Sequence, residues 1–236
     1  YSFFALYANI DKFVGNEPKI PIEERQEIDR WIISRLNTLN KSYRELMEEY
    51  ELTKAHRAIQ SFVIDELSNW YIRRNRRRFW KGENDSDKLA AYQTLYEVLV
   101  NVAILMASAA PFLSEILYQR LRQPSDPVSV HLVDLPKAND SLINIELEEQ
   151  MGLAQTIVKI VRSLRERAKI RVRQPLEKII VPVLNPKQRR NIQHFENIIK
   201  EEINVKKIEY VSADMEFVKK KAKPNFKVIG KKFGKF

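Results

Sequence analysis

One stretch of this sequence organises the rest: Leu67-Ser68-Asn69-Trp70-Tyr71-Ile72-Arg73-Arg74-Asn75-Arg76-Arg77-Arg78-Phe79-Trp80. It contains no glycine or proline, and an apolar pattern runs into it from Ala55, Ile59 and Phe62, so the stretch predicts a helix. At helical spacing one buried face would hold Ile64, Ser68, Tyr71, Ile72, Asn75 and Phe79. The opposite side would then carry Arg73, Arg74 and Arg77, with Arg76 and Arg78 flanking the two faces.

Five arginines within six positions repel one another, because like charges three and four residues apart each weaken a helix by about 0.2–0.5 kcal/mol. Such a helix needs a packed face and an anion. Guanidinium groups pair with phosphate in a bidentate manner, and Trp70 and Trp80 offer planes on which a base can stack, although either could instead fill the core. The plainer alternative is a solvated basic face that Glu66 and Glu83 neutralise locally.

The composition is that of a globular protein with an anionic partner. The chain has 236 residues, a net charge of +10 and a sequence pI of about 9.6. A field of this sign favours nucleic acid or an anionic membrane surface. The chain contains no cysteine, which excludes disulfides and thiolate zinc sites and suits a reducing compartment. We therefore expect a cytoplasmic protein.

Nothing in the sequence predicts a membrane segment. The apolar run at residues 98–113 is interrupted by Asn101 and closed by Pro111, so we expect a buried helix there. The chain begins at Tyr1, without an initiator methionine or a signal peptide, and we interpret it as a piece of a longer protein.

Apolar residues at steps of three and four predict four successive helices. The first would begin near Glu23 and bury Ile28, Ile32, Leu36, Leu39, Tyr43, Leu46 and Tyr50. The second would be capped by Thr53 and run through the arginine stretch. The third would follow a turn at residues 84–87, and the fourth would begin at Pro111. Short links between them favour an antiparallel bundle.

The pattern changes after residue 125. We expect a bundle at residues 1–125, a linker at 126–145 with a short strand at 128–133, and a small α+β subdomain at 146–236. This subdomain would open with a helix and continue with alternating apolar residues at 170–173 and 178–184. Asn185 and Pro186 would start another helix, and further strands would lie at 205–211, 215–218 and near 226–229. The fold class is therefore mainly α, an antiparallel helical bundle followed by a small α+β subdomain.

The sequence shows no constellation suited to catalysis or to metal binding. His56, His131 and His194 lie far apart, and no glycine-rich phosphate loop is present. Paired acids such as Glu48-Glu49 alternate with basic residues, as on solvated helix faces.

Positive charge is concentrated in three places. The first is the arginine stretch, and the second is the run Arg162, Arg165, Arg167, Lys169, Arg171 and Arg173. The third is the tail, in which eight lysines follow Glu216 without another acidic residue. Three such clusters favour nucleic acid, and arginine with aromatic residues suits structured RNA with exposed bases.

The same residues carry a family resemblance. The arginine stretch resembles the signature of the anticodon-binding helical domain of isoleucyl-tRNA synthetases, of the archaeal and eukaryotic kind. Ala110-Pro111-Phe112-Leu113-Ser114-Glu115-Ile116-Leu117-Tyr118 resembles the helix that follows it in class I synthetases for branched aliphatic amino acids. Residues 162–176 and 223–235 are similar to the isoleucine enzyme as well.

This resemblance implies a parent that activates isoleucine with ATP and transfers it to tRNA. The chain lacks the parent's catalytic signatures, so it is expected to bind the anticodon stem and loop without chemistry, cofactor or metal of its own. The expected partners are isoleucine tRNA and the parent's catalytic domain, and no membrane. The candidate tRNA-binding residues are Arg73, Arg74, Arg76, Arg77, Arg78, Trp70, Trp80, Arg162, Arg165, Lys169, Arg171 and Arg173. Two alternatives stay open: a structural stem of the synthetase, and the equivalent region of a valyl-tRNA synthetase.

Overall fold

A computed structural model describes residues 1–80 and 85–212 of the chain. Contacts between Cα atoms divide the chain into two compact units, Tyr1–Glu148 and Glu149–Phe236. The described part is mainly α-helical, with one small parallel sheet, as the sequence predicts.

Helices build the first unit. They are α1 (Ser2–Asp11), α2 (Glu27–Glu48), α3 (Leu52–Ser61), α4 (Arg73–Trp80), α5 (Ser86–Met106) and α6 (Pro111–Leu121). Helix α2 packs on α3 and α5, and α5 also contacts α1, α4 and α6. Aromatic and branched side chains fill the core, among them Trp31, Ile32, Leu36, Tyr43, Phe62, Tyr71, Phe79, Leu95 and Tyr118. The side chain of Asp85 caps α5 by accepting a hydrogen bond from the backbone N–H of Lys88.

The predicted starts and ends of two helices are wrong by a few residues. A short 3-10 turn at Ile22–Glu24 precedes α2, which begins at Glu27 rather than near Glu23. Helix α2 ends at Glu48, so Tyr50 lies beyond it with a left-handed φ of 58° and is 87% exposed. Helix α3 begins at Leu52, where Glu51 rather than Thr53 takes the cap position.

The helix between α3 and α4 is continuous but wider than an α-helix. Residues Phe62–Ile72 form a π-helical segment, and buried positions there step by five, from Phe62 to Leu67. This longer step turns Ile64 and Ser68 outward, so their predicted place on the buried face is wrong. Tyr71, Asn75 and Phe79 are buried as predicted.

The second half of the segment at residues 126–145 lies along α2, and residues 127–130 bond to side chains of α6. The backbone of this second half is held by side chains of α2, since Asn37 accepts from the N–H of Asn139 and Ser34 accepts from the N–H of Asn144. The strand predicted at 128–133 is absent from this described segment, which instead forms a 3-10 turn at Val130–Leu132. The backbone N–H of Val130 donates to the carboxylate of Glu115, so it is not available to pair with a neighbouring strand.

By length and composition alone α5 could cross a membrane, and it is the one described helix for which this holds. More than half of its most apolar window is buried inside the protein, at 56%. Near its start Lys88 is buried and paired with Asp11. A core helix of a globular protein has these properties.

The second unit is a small α+β structure. Helix α7 (Ile145–Arg167) leads into it, and strand β1 (Leu176–Val183) pairs in parallel with β2 (Val205–Ser212), from Leu176 opposite Val205 to Val183 opposite Ser212. Helices α8 (Pro186–His194) and α9 (Glu196–Ile203) connect the strands, and Asn185 caps α8 as predicted. The alternating residues 170–173 form a turn instead of a strand. The strands predicted at 215–218 and 226–229 lie outside the described residues.

Candidate nucleic-acid interface

The arginine stretch presents a polar and aromatic stripe to solvent. Arg76 and Arg77 are exposed, and Trp80 is 57% exposed. Arg73 is half-buried, and its Nε donates to the carbonyl of Asn69. Because positions 73, 76, 77 and 80 share one side of an α-helix, this surface combines guanidinium groups with an exposed indole plane. Arg74 is half-buried beside it.

Arg78 differs from its neighbours because it is buried. Its Nη1 and Nη2 donate to the two carboxylate oxygens of Asp29 on α2, at 2.8 and 2.7 Å. Its Nε and Nη2 also donate to the carboxylate of Asp87 on α5, at 3.1 and 2.8 Å. Arg78 therefore ties α4 to two helices of the core, and its guanidinium is not available to a phosphate.

Two further side chains complete this buried cluster. The hydroxyl of Tyr71 donates to Asp29 at 2.5 Å, and Asn75 accepts from Nη1 of Arg78 at 3.1 Å. Burial, with the negative charge of Asp29 beside it, raises the pKa of Tyr71 well above its ordinary value. Burial alone would lower the pKa of Arg78, but the bonds and the charge of Asp29 raise it instead. The phenol thus stays protonated and the guanidinium stays charged.

The two tryptophans have different positions. Trp70 is 5% exposed and belongs to the core, whereas Trp80 lies on the surface. Of the two predicted stacking residues, the structure leaves Trp80 accessible to a base.

Glu66 does not neutralise the arginine face as the plainer alternative supposed. It accepts two hydrogen bonds from Arg35 of α2, at 2.8 and 2.9 Å. Arg35 also bonds Glu148 at the start of α7, at 2.8 Å. The other acid in that alternative, Glu83, lies outside the described residues.

The second basic cluster repeats the division between buried and exposed arginines. Arg165 is 3% exposed, and its guanidinium donates to the carbonyls of Gln174 at 3.0 Å and of Ile203 at 2.7 Å. Arg162 pairs with Glu202 at 2.5 Å. These two candidates hold the second unit together.

Three exposed members of that cluster lie on one turn beyond the end of α7. Lys169, Arg171 and Arg173 are all exposed. Asn204 holds this turn in place, because its side-chain amide donates to the carbonyls of Val172 and Arg173, each at 3.1 Å. The third basic cluster, in the tail, lies outside the described residues.

Comparison with known proteins assigns the chain to a family. A model of the anticodon-binding domain of tRNA ligases matches residues 29–180, which include helix α4 and the second basic cluster. The chain belongs to this family. The match covers both the buried cluster around Asp29 and the turn that carries Arg171 and Arg173.

Individual relatives of this anticodon-binding domain are named isoleucine–tRNA ligases. That of Cytophaga hutchinsonii is 51% identical over 99% of this chain and 21% of its own length. Those of Bacteroides thetaiotaomicron and Porphyromonas gingivalis are 48% and 46% identical over 100% of the chain and 20% of their own length. The chain thus spans about a fifth of the ligases it matches. These relatives do not support the expected archaeal and eukaryotic kind.

Sequence reasoning missed the buried and bonding residues that organise the two units from within. Asp29 is fully buried beside the apolar stripe of α2, and a charged residue next to such a stripe is the signal that could have found it. Asp87 and Asn204 gave no comparable signal. Among the described residues, no group of three His, Asp or Glu side chains could hold a metal ion.

Proposed function

We propose that this chain is the tRNA-binding region of an isoleucine–tRNA ligase and that it contacts the anticodon stem and loop. The longer protein would be an ATP-dependent ligase, whose aminoacylation chemistry takes place outside this chain. With this role we propose a cytoplasmic location, which the absence of cysteine supports. One observation carries the proposal: in a member of the anticodon-binding family, α4 exposes Arg76, Arg77 and Trp80 together on one side.

The proposed contacts are the candidates that remain accessible. Arg76 and Arg77, with Arg73 and Arg74 beside them, would bind phosphates, and Trp80 would stack on an unpaired base. In the second unit Lys169, Arg171 and Arg173 would bind phosphates from their turn. Arg78, Arg162 and Arg165 would act only by holding these surfaces in place.

The test is binding of the whole chain to isoleucine tRNA and to valine tRNA over a series of salt concentrations. We expect tighter binding to isoleucine tRNA and an affinity that falls steeply with salt. In the Arg76→Ala/Arg77→Ala variant, the salt slope should flatten by about 0.7–0.9 for each phosphate that the protein no longer neutralises. The matched control is Arg57→Ala, which removes an exposed arginine from α3.

The other outcomes identify the alternatives. Equal and weak binding to both tRNAs, with no effect of the double variant, would indicate a structural stem of the ligase. Preference for valine tRNA would indicate a valine-specific relative.

A further inference from the structure

Helix α4, together with the last two residues of the π-helical segment before it, carries two neighbouring stripes that could each face the core. Tyr71, Asn75 and Phe79 form the stripe that is buried. The positions one residue later are Ile72, Arg76 and Trp80, which form a second stripe with an apolar residue at each end. Successive residues are about 100° apart around an α-helix, so a rotation of α4 by that angle would exchange the two stripes.

The burial of apolar side chains alone distinguishes only weakly between the observed rotational setting of α4 and the rotated one. Rotation would bury Ile72 and Trp80 in place of Tyr71 and Phe79, so one aromatic side chain would again lie at the end of the helix. It would also withdraw Trp80 and Arg76 from the surface and turn Arg78 outward. The segment before α4 is the π-helical Phe62–Ile72, whose bonding already departs from the α-helical pattern.

The buried carboxylate of Asp29 distinguishes the two settings. It is 0% exposed and accepts three hydrogen bonds, two from Arg78 and one from Tyr71. Both donors face Asp29 only in the observed rotational setting of the helix. Asn75 links the same two residues, since its Nδ2 donates to the carbonyl of Tyr71 and its Oδ1 accepts from Arg78. Rotation would leave Asp29 buried without its cation, which is strongly unfavourable.

Stability does not explain why an ion pair occupies this place. Well-packed apolar residues of similar volume usually stabilise a core at least as well as a buried ion pair does, and setting a register is the best-attested use of such pairs. We propose that Asp29 is a positioning residue that, through Arg78, fixes the rotational setting of α4 and so selects which side chains meet RNA. This inference rests on the proposed function, because the selected side chains are Arg76, Arg77 and Trp80.

The experiment replaces the cluster by apolar groups in the whole chain, as Asp29→Leu/Tyr71→Phe/Arg78→Met. The first readout needs no RNA: acrylamide quenching of tryptophan fluorescence. The chain has three tryptophans, and quenching reports mainly Trp80 because Trp31 and Trp70 are 1% and 5% exposed. The second readout is maleimide labelling of Arg76→Cys, which is specific because the chain has no other cysteine.

We expect the apolar variant to remain helical while Trp80 becomes shielded and labelling of the thiol at position 76 slows. Its affinity for isoleucine tRNA should fall about tenfold or more, with a flatter salt slope. The matched control is Arg35→Gln, which breaks the ion pairs of α2 with Glu66 in the π-helical segment and with Glu148 at the start of α7, but leaves the bonds between α2 and α4. It should leave both surface readouts unchanged.

Unchanged quenching and labelling in a folded apolar variant would overturn the inference and leave the ion pair a purely structural feature. If that variant does not fold, Asp29→Asn gives the same readouts, since the amide keeps the size of the carboxylate and removes its charge. In that case Trp80 must become shielded from acrylamide in the Asp29→Asn variant. Fluorescence quenching equal to that of the wild-type chain would overturn the inference. Failure of the wild-type chain to bind tRNA would refute the proposed function alone, because the two surface readouts do not depend on RNA.

Discussion

Arg77 and Arg78 are adjacent in sequence and chemically identical, yet their replacement by alanine should have opposite consequences. Arg78→Ala removes the cation that faces Asp29, which is 0% exposed, and leaves that carboxylate buried. Breaking one partner of a buried ion pair costs about 3–5 kcal/mol. The second partner of Arg78 is Asp87, whose side chain is 27% exposed, so water can replace much of this interaction. Its loss therefore adds little to the destabilisation caused by Arg78→Ala.

This destabilisation is large relative to the stability of a typical domain, about 5–15 kcal/mol. At about 2–4 °C per kcal/mol for a chain of this size, the midpoint of thermal unfolding should fall by about 6–20 °C. Arg77→Ala is the matched control, because Arg77 is exposed on the same helix. We expect its stability to stay within about 0.5 kcal/mol of wild type.

The assay is urea unfolding followed by far-ultraviolet circular dichroism, together with tRNA binding of both variants over a salt series. Arg77→Ala should flatten the salt slope of binding and leave unfolding unchanged, whereas Arg78→Ala should shift unfolding. Equal decreases of stability in the two variants would refute the assignment of Arg78 to the core. So would a stable Arg78→Ala variant in which only the salt slope changes.

Two further predictions concern stability. Asp85→Ala should destabilise the chain by about 1 kcal/mol, because it removes the cap bond to the N–H of Lys88, and neighbouring Ser86→Ala is the control in urea unfolding. Hydrogen bonds from Gln119, from the N–H of Val130 and from Ser129 hold the pKa of Glu115 below its ordinary value of 4.5. A carboxylate with a lowered folded pKa stabilises the fold above its unfolded pKa and loses that contribution as the pH falls through the folded pKa. Wild type should therefore exceed Glu115→Gln in unfolding free energy at neutral pH and converge with it in acid, and parallel curves down to acid pH would contradict this.

Much of the helical architecture follows from local pattern. The apolar steps in α2 and α5, proline at the start of α6 and the Asn185 cap all depend on residues within a few positions of one another. The parallel strands are recognisable from their β-branched runs. The short turn at Val130–Leu132 is not recognisable from the local pattern, because it depends on a hydrogen bond from the N–H of Val130 to the carboxylate of Glu115 on a preceding helix.

The division of the arginines could not be predicted from the sequence. Arg76, Arg77 and Arg78 have the same side chain and similar neighbours, and the choice among them depends on Asp29, which lies 49 positions from Arg78. The five-residue step between Phe62 and Leu67 adds a second difficulty, because a helix of ordinary period places Ile64 inside. Local periodicity therefore predicted the helix but placed Arg78 on the flank between its two faces, where it was a candidate for tRNA binding.

Both units use arginine in the same two ways, and this limits how strongly salt can affect RNA binding. Arg78 in the first unit and Arg165 in the second are buried and bonded, and Arg162 is paired with Glu202. The proposed function assigns phosphate contacts to the other seven of the ten cationic candidates named from the sequence. At about 0.7–0.9 for each phosphate neutralised, these seven allow a salt slope no steeper than about 5 to 6. A steeper slope would require cations outside the candidate set, and truncating the chain before Lys219 would show whether the tail supplies them.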